Sequence, residues 1–426
     1  MIYYSTKLKT HANSLPEAAF EGMASDGGLF VPEYFPYIDY ERLKKKNADF
    51  KEVAYTISEE FLAGAYTESI ISDIIEECYP FDAPLKELSE RLSILELFHG
   101  PTFAFKDFGA RYMAALFTRV AKERGEEVTI LAATSGDTGS AVASAFHNRE
   151  GVKVILLYPQ DKVSAIQKQQ LISYDNNVKA LEVKGTFDDC QAIVKKAFAD
   201  DSLKQLKKLS SANSINIARL IPQSFYYASA YVQSASEHIN VIVPSGNFGN
   251  LTAGLYAKET GVPVKQFIAA VNENKVIPEY LSTGVYTPKP SVATLANAMD
   301  VGNPSNFERI LHLFSGKHES VLKAIRSYSI SDDRIKNTIG AVFEKFSYTV
   351  CPHTACGIES FNLQDETEKW IVLATAHPAK FADIVEPVIE QKIELPEQLK
   401  KIQDLAGNYE VVENDYQAIK ERIIGF

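Results

Sequence analysis

The 426-residue sequence has the length of two or three domains and an acidic balance, with 44 Lys and Arg against 55 Asp and Glu and a formal net charge of −11. This charge argues against a nucleic-acid-binding protein and against a polybasic membrane-associated one, because both need a net positive face. The hydrophobic content of 46% and the charged content of 23% are those of a globular chain rather than a disordered one.

The first predicted elements are helices, because apolar residues recur at helical spacing between Tyr40 and Tyr79. Further along, short continuous apolar runs indicate buried parallel strands. The predicted strands are Val128–Ala133, Val152–Tyr158, Val178–Val183, Asn240–Val243, Val264–Val271 and Trp370–Ala374. The predicted helices between them lie near Ser140–Asn148, Ser164–Ile172, Thr186–Phe198 and Gln223–Ser234, with another that starts at Leu251.

Strands that alternate with helices predict an α/β protein whose parallel sheets are covered by helices on both faces. The number of strands fits two such sheets better than one. No apolar run is long enough to span a bilayer, and the first residues lack the apolar core of a signal peptide. We therefore expect a cytoplasmic protein with two parallel sheets.

The loop after the Val128–Ala133 strand has the composition of an anion-binding turn. Ligands of parallel sheets bind at the carboxyl ends of the strands. The segment from Thr134 to Ser140 contains two glycines, several hydroxyls and the predicted start of a helix, which together favour an anion. An ordinary turn with a helix N-cap explains the same residues, so both interpretations stay open.

Pro244–Asn250 is a second glycine-rich loop between a predicted strand and a predicted helix, and its composition is that of a phosphate-binding loop. It lacks the Gly-Lys-Ser/Thr ending of an ATP-binding loop and is not a dinucleotide fingerprint. Without a nearby lysine or metal-binding carboxylate, it favours a cofactor phosphate over a nucleoside triphosphate. A structural turn is the alternative, which the presence of two such loops weakens.

Lys106 has an unusual setting for a lysine. Most lysines are exposed among polar neighbours, whereas this one lies between Phe103, Phe105 and Phe108 at the predicted start of a helix. Desolvation and the positive end of a helix both lower the pKa of a lysine, and Schiff-base chemistry requires the neutral amine. The alternative is a lysine that snorkels or pairs with Asp107.

The strand Trp370–Ala374 ends at Thr375, whose hydroxyl is placed to reach a ligand, while the nearby His377 is more simply explained as a capping or packing residue. A reactive lysine, a phosphate loop, a second anion loop and a hydroxyl at a strand end occur together, without a set of metal ligands. These are the components of a pyridoxal-phosphate enzyme that acts on an amino acid.

The ordered motifs resemble those of the threonine synthase family, which uses pyridoxal phosphate and has the tryptophan-synthase β fold, fold type II. The resemblance covers nearly the whole chain and rests on Tyr4–Thr6, Gly22–Pro32, His99–Asp107, Ser135–Gly139, Gly246–Asn250, Met299–Arg309 and Thr375–Phe381. It implies two open α/β domains after a mainly helical N-terminal extension at residues 1–85. Residues 86–110 and 236–426 would form the large cofactor-binding domain, and residues 111–235 the smaller domain with the substrate loops.

The resemblance also implies which residues bind the cofactor, pyridoxal 5′-phosphate. Lys106 would form a Schiff base with it, next to Phe105, and would act as the main acid–base group. Thr375 would hydrogen-bond the pyridine nitrogen, where a neutral hydroxyl does not force full protonation of the ring. The cofactor phosphate would be held by Gly246, Asn247, Phe248, Gly249 and Asn250.

Two further segments would bind the substrate. The Ser211–Arg219 segment is similar to the family's site for the substrate phosphate, and the planar fork of Arg219 suits a dianion; a surface ion pair is the alternative for this arginine. The predicted carboxylate-binding residues are Thr134, Ser135, Asp137 and Thr138, and the predicted neutral donors to the phosphate are Asn213, Ser214 and Asn216.

The implied activity is that of a carbon–oxygen lyase, which converts O-phospho-L-homoserine and water to L-threonine and phosphate in the last step of threonine biosynthesis. The expected form is a monomer or homodimer, without nucleic-acid or membrane partners. One rival is a serine/threonine dehydratase, against which the Asn213–Arg219 segment argues. The other is an inactive homologue that only binds phosphorylated ligands, against which the intact Lys106 argues.

Four cysteines in a chain of this length are too few for a disulfide scaffold and indicate a reducing compartment. The segment Cys351–Cys356 places a cysteine where the family pattern has an aspartate before Pro-His-Thr-Ala. With His353 it suggests zinc, but Cys78 and Cys190 are far away in the sequence and no fourth ligand accompanies it. We therefore predict no metal site.

Overall fold

Three β-sheets organise the chain in the computed structural model, which describes residues 1–134, 136–365, 367–403, 405 and 407–426. The strands within these residues are β1 (Tyr3–Ser5), β2 (His11–Ala12), β3 (Phe30–Pro32), β4 (Leu85–Ser89), β5 (Leu92–Glu96), β6 (Val128–Ala133), β7 (Val152–Pro159), β8 (Val178–Lys184), β9 (Leu209–Ser210), β10 (Ile239–Pro244), β11 (Val264–Val271), β12 (Ile325–Ser329), β13 (Trp370–Ala374) and β14 (Tyr409–Glu413).

The α-helices within the same residues are α1 (Leu15–Glu21), α2 (Tyr40–Lys45), α3 (Phe50–Phe61), α4 (Glu68–Cys78), α5 (Lys106–Arg124), α6 (Asp137–Phe146), α7 (Ala165–Ile172), α8 (Phe187–Ala199), α9 (Asp201–Leu206), α10 (Ile217–Leu220), α11 (Gln223–Gln233), α12 (Gly249–Glu259), α13 (Val276–Thr283), α14 (Phe307–Leu313), α15 (His318–Ala324), α16 (Asp332–Phe346), α17 (Pro352–Asn362), α18 (Ala382–Ile389), α19 (Glu397–Gln403) and α20 (Tyr416–Gly425). Two short 3₁₀ helices are η1 (Asn297–Met299) and η2 (Pro378–Phe381).

The N-terminal extension combines helices with a small sheet. Helices α3 and α4 bury one apolar face each and begin at side-chain caps, in which Asp49 and Thr67 accept backbone N–H groups. The sequence-based expectation of a mainly helical segment misses the antiparallel sheet of order β2-β1-β3. Strands of two or three residues are too short to show the alternation that indicates a strand.

Two large sheets follow, as the strand count predicted. The six-stranded sheet has the order β12-β11-β10-β13-β5-β4, and its pairings are parallel except that of β4 with β5. The five-stranded sheet has the order β14-β8-β7-β6-β9 and is parallel throughout. The α/β class with two parallel sheets is therefore confirmed.

Helices cover both faces of each large sheet. One continuous core joins the N-terminal helices, α5 and α11 to one face of both sheets. A second core lies between the six-stranded sheet and helices α16 and α17, and a third between the five-stranded sheet and helices α8 and α20. Among the described residues, no helix has both the length and the apolar character needed to cross a membrane.

The C-terminal segment departs from the expected division of the chain. We expected residues 236–426 to belong to the large domain, but β14 pairs with β8 in the five-stranded sheet, so the end of the chain returns to the smaller unit. Helix α5 also crosses the expected limit between residues 110 and 111. Parallel pairing with a strand far earlier in the chain is decided by tertiary packing, which local patterns do not report.

The carboxyl ends of three strands carry the loops singled out in the sequence. Helix α6 follows β6, helix α12 follows β10, and η2 follows β13. Ligands of open parallel sheets bind at this edge. The fold thus places the candidate residues where a ligand site is expected.

Candidate active site

Lys106 lies beside the end of β13 because backbone hydrogen bonds join two segments that are far apart in the chain. The Phe105 N–H donates to the Thr375 carbonyl at 2.9 Å, and the His377 N–H donates to the Phe103 carbonyl at 3.0 Å. Phe103 adopts a left-handed conformation with φ 58°, which is strained for a residue with a Cβ atom. Two separately predicted residues, the lysine and the threonine, therefore meet at one site.

The amine of Lys106 is desolvated and surrounded by charge. Burial lowers its pKa from the ordinary value of 10.5 to about 8, and the cations Arg219 and Lys380 act in the same direction. The carboxylate of Asp137 opposes them. About a tenth of the amine is therefore neutral at pH 7, far more than for an ordinary lysine, and the neutral amine is the nucleophilic form.

Asp107 does not serve as the partner of Lys106. It is fully buried, and its two carboxylate oxygens accept the Thr102 N–H at 2.8 Å and the Thr102 hydroxyl at 2.7 Å. Burial raises the pKa of Asp107 to about 6. The carboxylate of Asp107 thus shapes the turn before α5. This geometry argues against the alternative interpretation, in which Lys106 forms an ion pair with Asp107.

The loop before α12 is a preformed turn, in which the side chain of Asn250 forms hydrogen bonds within the protein. Phe248 adopts the left-handed conformation, with φ 60°, at the N-cap of the helix. The amide of Asn250 donates to the Pro244 carbonyl at 2.8 Å, and its oxygen accepts the Leu251 N–H at 2.9 Å. An anion at this loop would therefore be bound by the backbone N–H groups of Gly249 and Asn250, the first two residues of α12, which have no acceptor within the helix.

Gly246 is held tightly against η1. A Cβ atom at this position would lie 2.7 Å from Met299 Cα and 3.0 Å from the Ala298 carbonyl oxygen, both of them backbone atoms. Only glycine fits there without moving the loop. The close approach of the loop to η1 therefore requires a glycine at position 246.

The predicted phosphate loop touches the predicted segment for the substrate phosphate. Asn247 donates to the Ser214 hydroxyl at 2.6 Å, and its oxygen accepts the Ser305 N–H at 2.6 Å and hydroxyl at 2.8 Å. Two motifs that the sequence suggested separately thus share a boundary, and Ser305 supports it from a third segment.

The loop before α6 is organised by a threonine hydroxyl. Thr134 is buried, and its Oγ1 accepts the N–H groups of Gly136 at 3.2 Å and Gly139 at 2.7 Å. A hydroxyl that accepts twice has its proton left to donate. Thr138 lies in the first turn of α6 and is partly exposed, while Ser135 falls outside the described residues.

Asp137 is the most strongly perturbed group of this loop. Its Oδ1 lies 2.7 Å from Lys380 Nζ and accepts from Gln167 Nε2 at 3.0 Å. Burial alone would raise the pKa of Asp137, but the attraction of Lys380 and Lys106 and the two hydrogen bonds hold it well below its usual range. The side chain predicted to contact substrate is thus an ion-paired carboxylate.

Arg219 is buried rather than part of a surface ion pair. It is 3% exposed, its Nη1 donates to the Ala212 carbonyl at 2.6 Å, and its Nε has no hydrogen-bond partner among the described residues. Burial lowers the pKa of Arg219 to about 10, and Asp107 opposes the shift. A buried cation with an unpaired donor is costly, so this geometry indicates a place for an anion.

The other residues of the Ser211–Arg219 segment divide into two groups. Asn213 and Ser214 are partly exposed. Asn216 is fully buried and used internally, since it caps α10 through the Ala218 N–H at 3.0 Å and donates to the Ala19 carbonyl at 2.8 Å. The side chain of Asn216 therefore fixes the segment's shape and ties it to α1.

Lys380 and Gln167 are site residues that the sequence analysis did not single out. Lys380 lies within the Thr375–Phe381 motif, between Ala379 and Phe381, and its side chain is fully buried. The same signal that pointed to Lys106, a lysine among apolar neighbours, was available here. Gln167 lies on α7 and gave no local signal.

The Cys351–Cys356 segment is packed as core. Cys351 Sγ lies 3.8 Å from His353 Nδ1, and Cys356 points elsewhere, donating to the Val271 carbonyl at 3.4 Å. The Ala298 N–H donates to His353 Nε2 at 3.1 Å, and burial lowers the pKa of His353 to about 4. Over the part of the chain that the structure describes, no group of three or more metal-ligating side chains occurs.

Comparisons with known protein families and with relatives give matches over nearly the whole chain. The family described as "Pyridoxal-phosphate dependent enzyme" matches residues 78–376, "Threonine synthase N terminus" matches 2–79, and "Threonine synthase, C-terminal" matches 354–423. Threonine synthase of Buchnera aphidicola subsp. Schizaphis graminum is 39% identical over 430 residues, which cover 100% of both chains.

Solved structures give the same result. The crystal structure of threonine synthase from Escherichia coli has a TM-score of 0.92 at 38% identity and covers 100% of both chains. The pyridoxal-phosphate-bound threonine synthase from Brucella melitensis has a TM-score of 0.94 at 32% identity and covers 100% of this chain and 99% of that one. The protein is thus a pyridoxal-phosphate-dependent enzyme of fold type II. Within that class it belongs to the threonine synthase family, which confirms the expected lyase class and cofactor.

The site's own geometry fits this cofactor. Lys106 offers a desolvated amine for the cofactor's aldehyde. The turn at Gly246 and the start of α12 offer backbone donors for its phosphate. Thr375 is 5% exposed beside the lysine segment, and a hydroxyl there suits a ring nitrogen.

Proposed function

We propose that this chain converts O-phospho-L-homoserine and water to L-threonine and phosphate. Its threonine synthase relatives support this reaction, and one observation at the site carries it: the buried Arg219 guanidinium, with an unpaired Nε, stands close enough to Lys106 to lower the pKa of its amine. Since the α6 loop is assigned to the substrate's carboxylate, the unpaired donor of this buried guanidinium is left for a second anionic group, which a phosphorylated amino acid supplies.

Three segments of the site would hold the cofactor. Lys106 would bind its aldehyde, Thr375 would hydrogen-bond its ring nitrogen, and the backbone of the Gly246–Asn250 loop would hold its phosphate. Phe105 lies at the N-cap of α5, with its ring centroid 5.9 Å from Lys106 Nζ, and orients the lysine. When bound, the cofactor supplies a sink for the electrons released at the substrate's Cα.

The substrate is held at both ends. The first turn of α6, with Thr134 and Thr138, binds the carboxylate, and Ser135 is assigned to the same role from the sequence alone. Arg219, Asn213 and Ser214 bind the phosphate and stabilise it as it leaves. Lys106 Nζ accepts the Cα proton and returns it after water has added at Cβ, because it is the titratable amine that the site holds in a partly neutral form.

The rival reaction is dehydration of serine or threonine, which produces a 2-oxo acid. The test is to incubate the purified enzyme with O-phospho-L-homoserine and, separately, with L-threonine, and to measure phosphate, threonine and 2-oxobutanoate. We expect phosphate and threonine in equal amounts from the first substrate. Rapid 2-oxobutanoate formation from threonine, without phosphate release from the first substrate, would favour the dehydratase.

The rate of cofactor attachment gives a pH prediction. We expect the cofactor-free protein to bind pyridoxal phosphate faster as the pH rises, with half of the maximal rate near pH 8 and a plateau above about pH 9, because the neutral Lys106 amine reacts and its pKa is about 8. Stopped-flow absorbance measures this rate. A rate that keeps rising about tenfold per pH unit to about pH 10 would indicate an ordinary lysine and contradict the site.

Gly246→Ala tests the phosphate loop. The new methyl group would meet the backbone of η1, so we expect the free energy of unfolding to fall by about 1–3 kcal/mol and the affinity for pyridoxal phosphate to fall about tenfold or more. Gly340→Ala is the matched control, since a Cβ at that position in α16 has Val388 Cγ1 at 3.6 Å as its near neighbour. Equal cofactor affinities in the two variants would exclude the loop from phosphate binding.

We also propose where the enzyme is located and which partners it has. A cytoplasmic location is supported by the free, buried state of all four cysteines, which suits a reducing compartment. We expect no nucleic-acid partner, in keeping with the net charge of −11. Light scattering of the pure protein should give the mass of one or two chains.

A further inference from the structure

The most completely buried ion pair at the site joins Lys380 to Asp137. The side chain of Lys380 is 0% exposed and that of Asp137 is 4% exposed, and their charged atoms lie 2.7 Å apart. Taking two charges out of water is expensive, and a well-packed apolar pair often serves stability equally well. The position of this pair therefore calls for an explanation beyond stability.

Asp137 occupies a helix N-terminus, which by itself favours a carboxylate, but the ligand's carboxylate is assigned to the same place. It is the first residue of α6, the helix whose N-terminus receives the substrate's carboxylate in the proposed function. A second carboxylate at that distance repels the ligand, since like charges in a desolvated site interact strongly. The loop accepts an anion only if the charge of Asp137 is cancelled within the protein.

Lys380 supplies that cancellation from another segment of the chain. It belongs to η2, after β13 of the six-stranded sheet, whereas Asp137 follows β6 of the five-stranded sheet. The same ammonium donates to the Thr102 carbonyl at 2.8 Å, and that carbonyl also accepts from Gln170 Nε2 at 3.1 Å. The ion pair thus connects the substrate loop to the turn that precedes Lys106.

The remaining contacts fix the pair from α7. Gln167 donates to Asp137 and packs against Gly136, where a Cβ would meet Gln167 Cδ at 2.6 Å. Ser164, the N-cap of the same helix, donates to the Lys380 carbonyl at 3.3 Å. Among the described residues, the other charged or titratable groups close to Asp137 include Lys106, His353 and Cys351.

We propose that Lys380 is a positioning residue, which cancels the charge of Asp137 so that the α6 loop accepts the substrate's carboxylate, and holds that loop against the Lys106 segment. This inference rests on the proposed function, because it takes the α6 loop as the carboxylate site. Lys380 acts through Asp137 and touches neither substrate nor cofactor.

The test compares two ligands of the holoenzyme that differ only in the carboxylate. L-threonine carries it, and 1-amino-2-propanol is threonine without it. Dissociation constants are measured by calorimetry, and the ratio of the two constants reports the contribution of the carboxylate. The variants are Lys380→Met, Lys380→Arg and the double variant Asp137→Asn with Lys380→Met, with Lys392→Met as the control at an exposed ion pair.

In the wild type we expect threonine to bind more tightly than the amino alcohol. Lys380→Met should reduce this preference about tenfold or more, because Asp137 is left uncompensated, while Lys380→Arg and Lys392→Met should keep it. In the double variant neither exchanged position carries a charge, so no carboxylate is left uncompensated, and it should recover most of the preference, within about threefold of the wild type. It also keeps the inference testable if Lys380→Met does not fold.

Three results would overturn the inference. A folded Lys380→Met enzyme with the wild-type preference shows that cancellation is not needed. A double variant that loses the preference shows that Lys380 acts as a direct ligand or only as packing. A wild type without any preference removes the carboxylate site itself. Phosphate release from O-phospho-L-homoserine by the wild type is measured alongside, so that failure of the proposed function is seen separately.

Discussion

Replacing Lys106 with alanine is expected to lower kcat at least about 1,000-fold, because the same amine binds the cofactor covalently and moves the Cα proton. The folded protein should persist, since the amine is desolvated at a cost that the variant does not incur. Borohydride treatment followed by mass spectrometry should find no cofactor mass on the variant. Lys122→Ala, at an exposed position near the end of α5, is the matched control and should keep both activity and the covalent cofactor.

Two results would contradict the assigned role of Lys106. A Lys106→Ala variant that keeps its turnover, or a wild type whose cofactor is fixed by borohydride on another residue, would remove the lysine from the chemistry. Partial rescue of the variant by added small amines would support the acid–base role, because a free amine can replace the missing one when the cavity admits it.

Replacing Arg219 with methionine is expected to have the second-largest effect, a fall of about 100-fold in kcat/KM for O-phospho-L-homoserine. The guanidinium is buried and makes one hydrogen bond within the protein, to Ala212, so its unpaired Nε is left to form a charge-assisted hydrogen bond with the ligand. Arg219→Lys should recover only part of this loss, since an ammonium lacks the planar fork. L-threonine, which has no phosphate, should bind the variant nearly as well as the wild type.

Stability separates this arginine from a structural one. Arg219→Met gives up a single hydrogen bond, to Ala212, and should lower the free energy of unfolding by only about 1 kcal/mol. Arg309→Met is the comparison, because Arg309 donates to Phe30, Asn306 and Ile215 and should cost about 3 kcal/mol or more. Thermal or denaturant unfolding measures both. If Arg219→Met lost as much stability as Arg309→Met and kept its kcat/KM, Arg219 would have a structural role and not a binding one.

Local patterns predicted the parts of the site but not their assembly. The loops at Thr134 and Gly246 and the lysine among phenylalanines are recognisable because each is a short run of unusual composition. That the Phe103–Phe105 segment is bonded to Thr375 and His377, and that Asn247 touches Ser214, depends on tertiary contacts between distant segments. Periodicity carries no information about such contacts.

The sequence analysis missed or misassigned three kinds of feature, each for a different reason. Lys380 carried a usable signal, a lysine between apolar residues, but its partner Asp137 follows a strand of the other sheet, so the pair is visible only in the structure. The strands β1–β3 are too short to show a pattern of their own, and β14, in which Val412 is the one buried residue, lacks the continuous apolar run of the predicted strands. Asn216 looked like a ligand donor because polar residues in loops are ambiguous between capping and binding until their partners are known.

The central claim is that phosphate leaves by cleavage of the Cγ–O bond and that water adds at Cβ. The most direct test is turnover of O-phospho-L-homoserine in ¹⁸O-labelled water, with mass analysis of both products. We predict that the label enters the hydroxyl group of L-threonine and that the released phosphate carries none, because the bridging oxygen departs with the phosphorus. Labelled phosphate together with homoserine would mean hydrolysis of the P–O bond and would contradict the account.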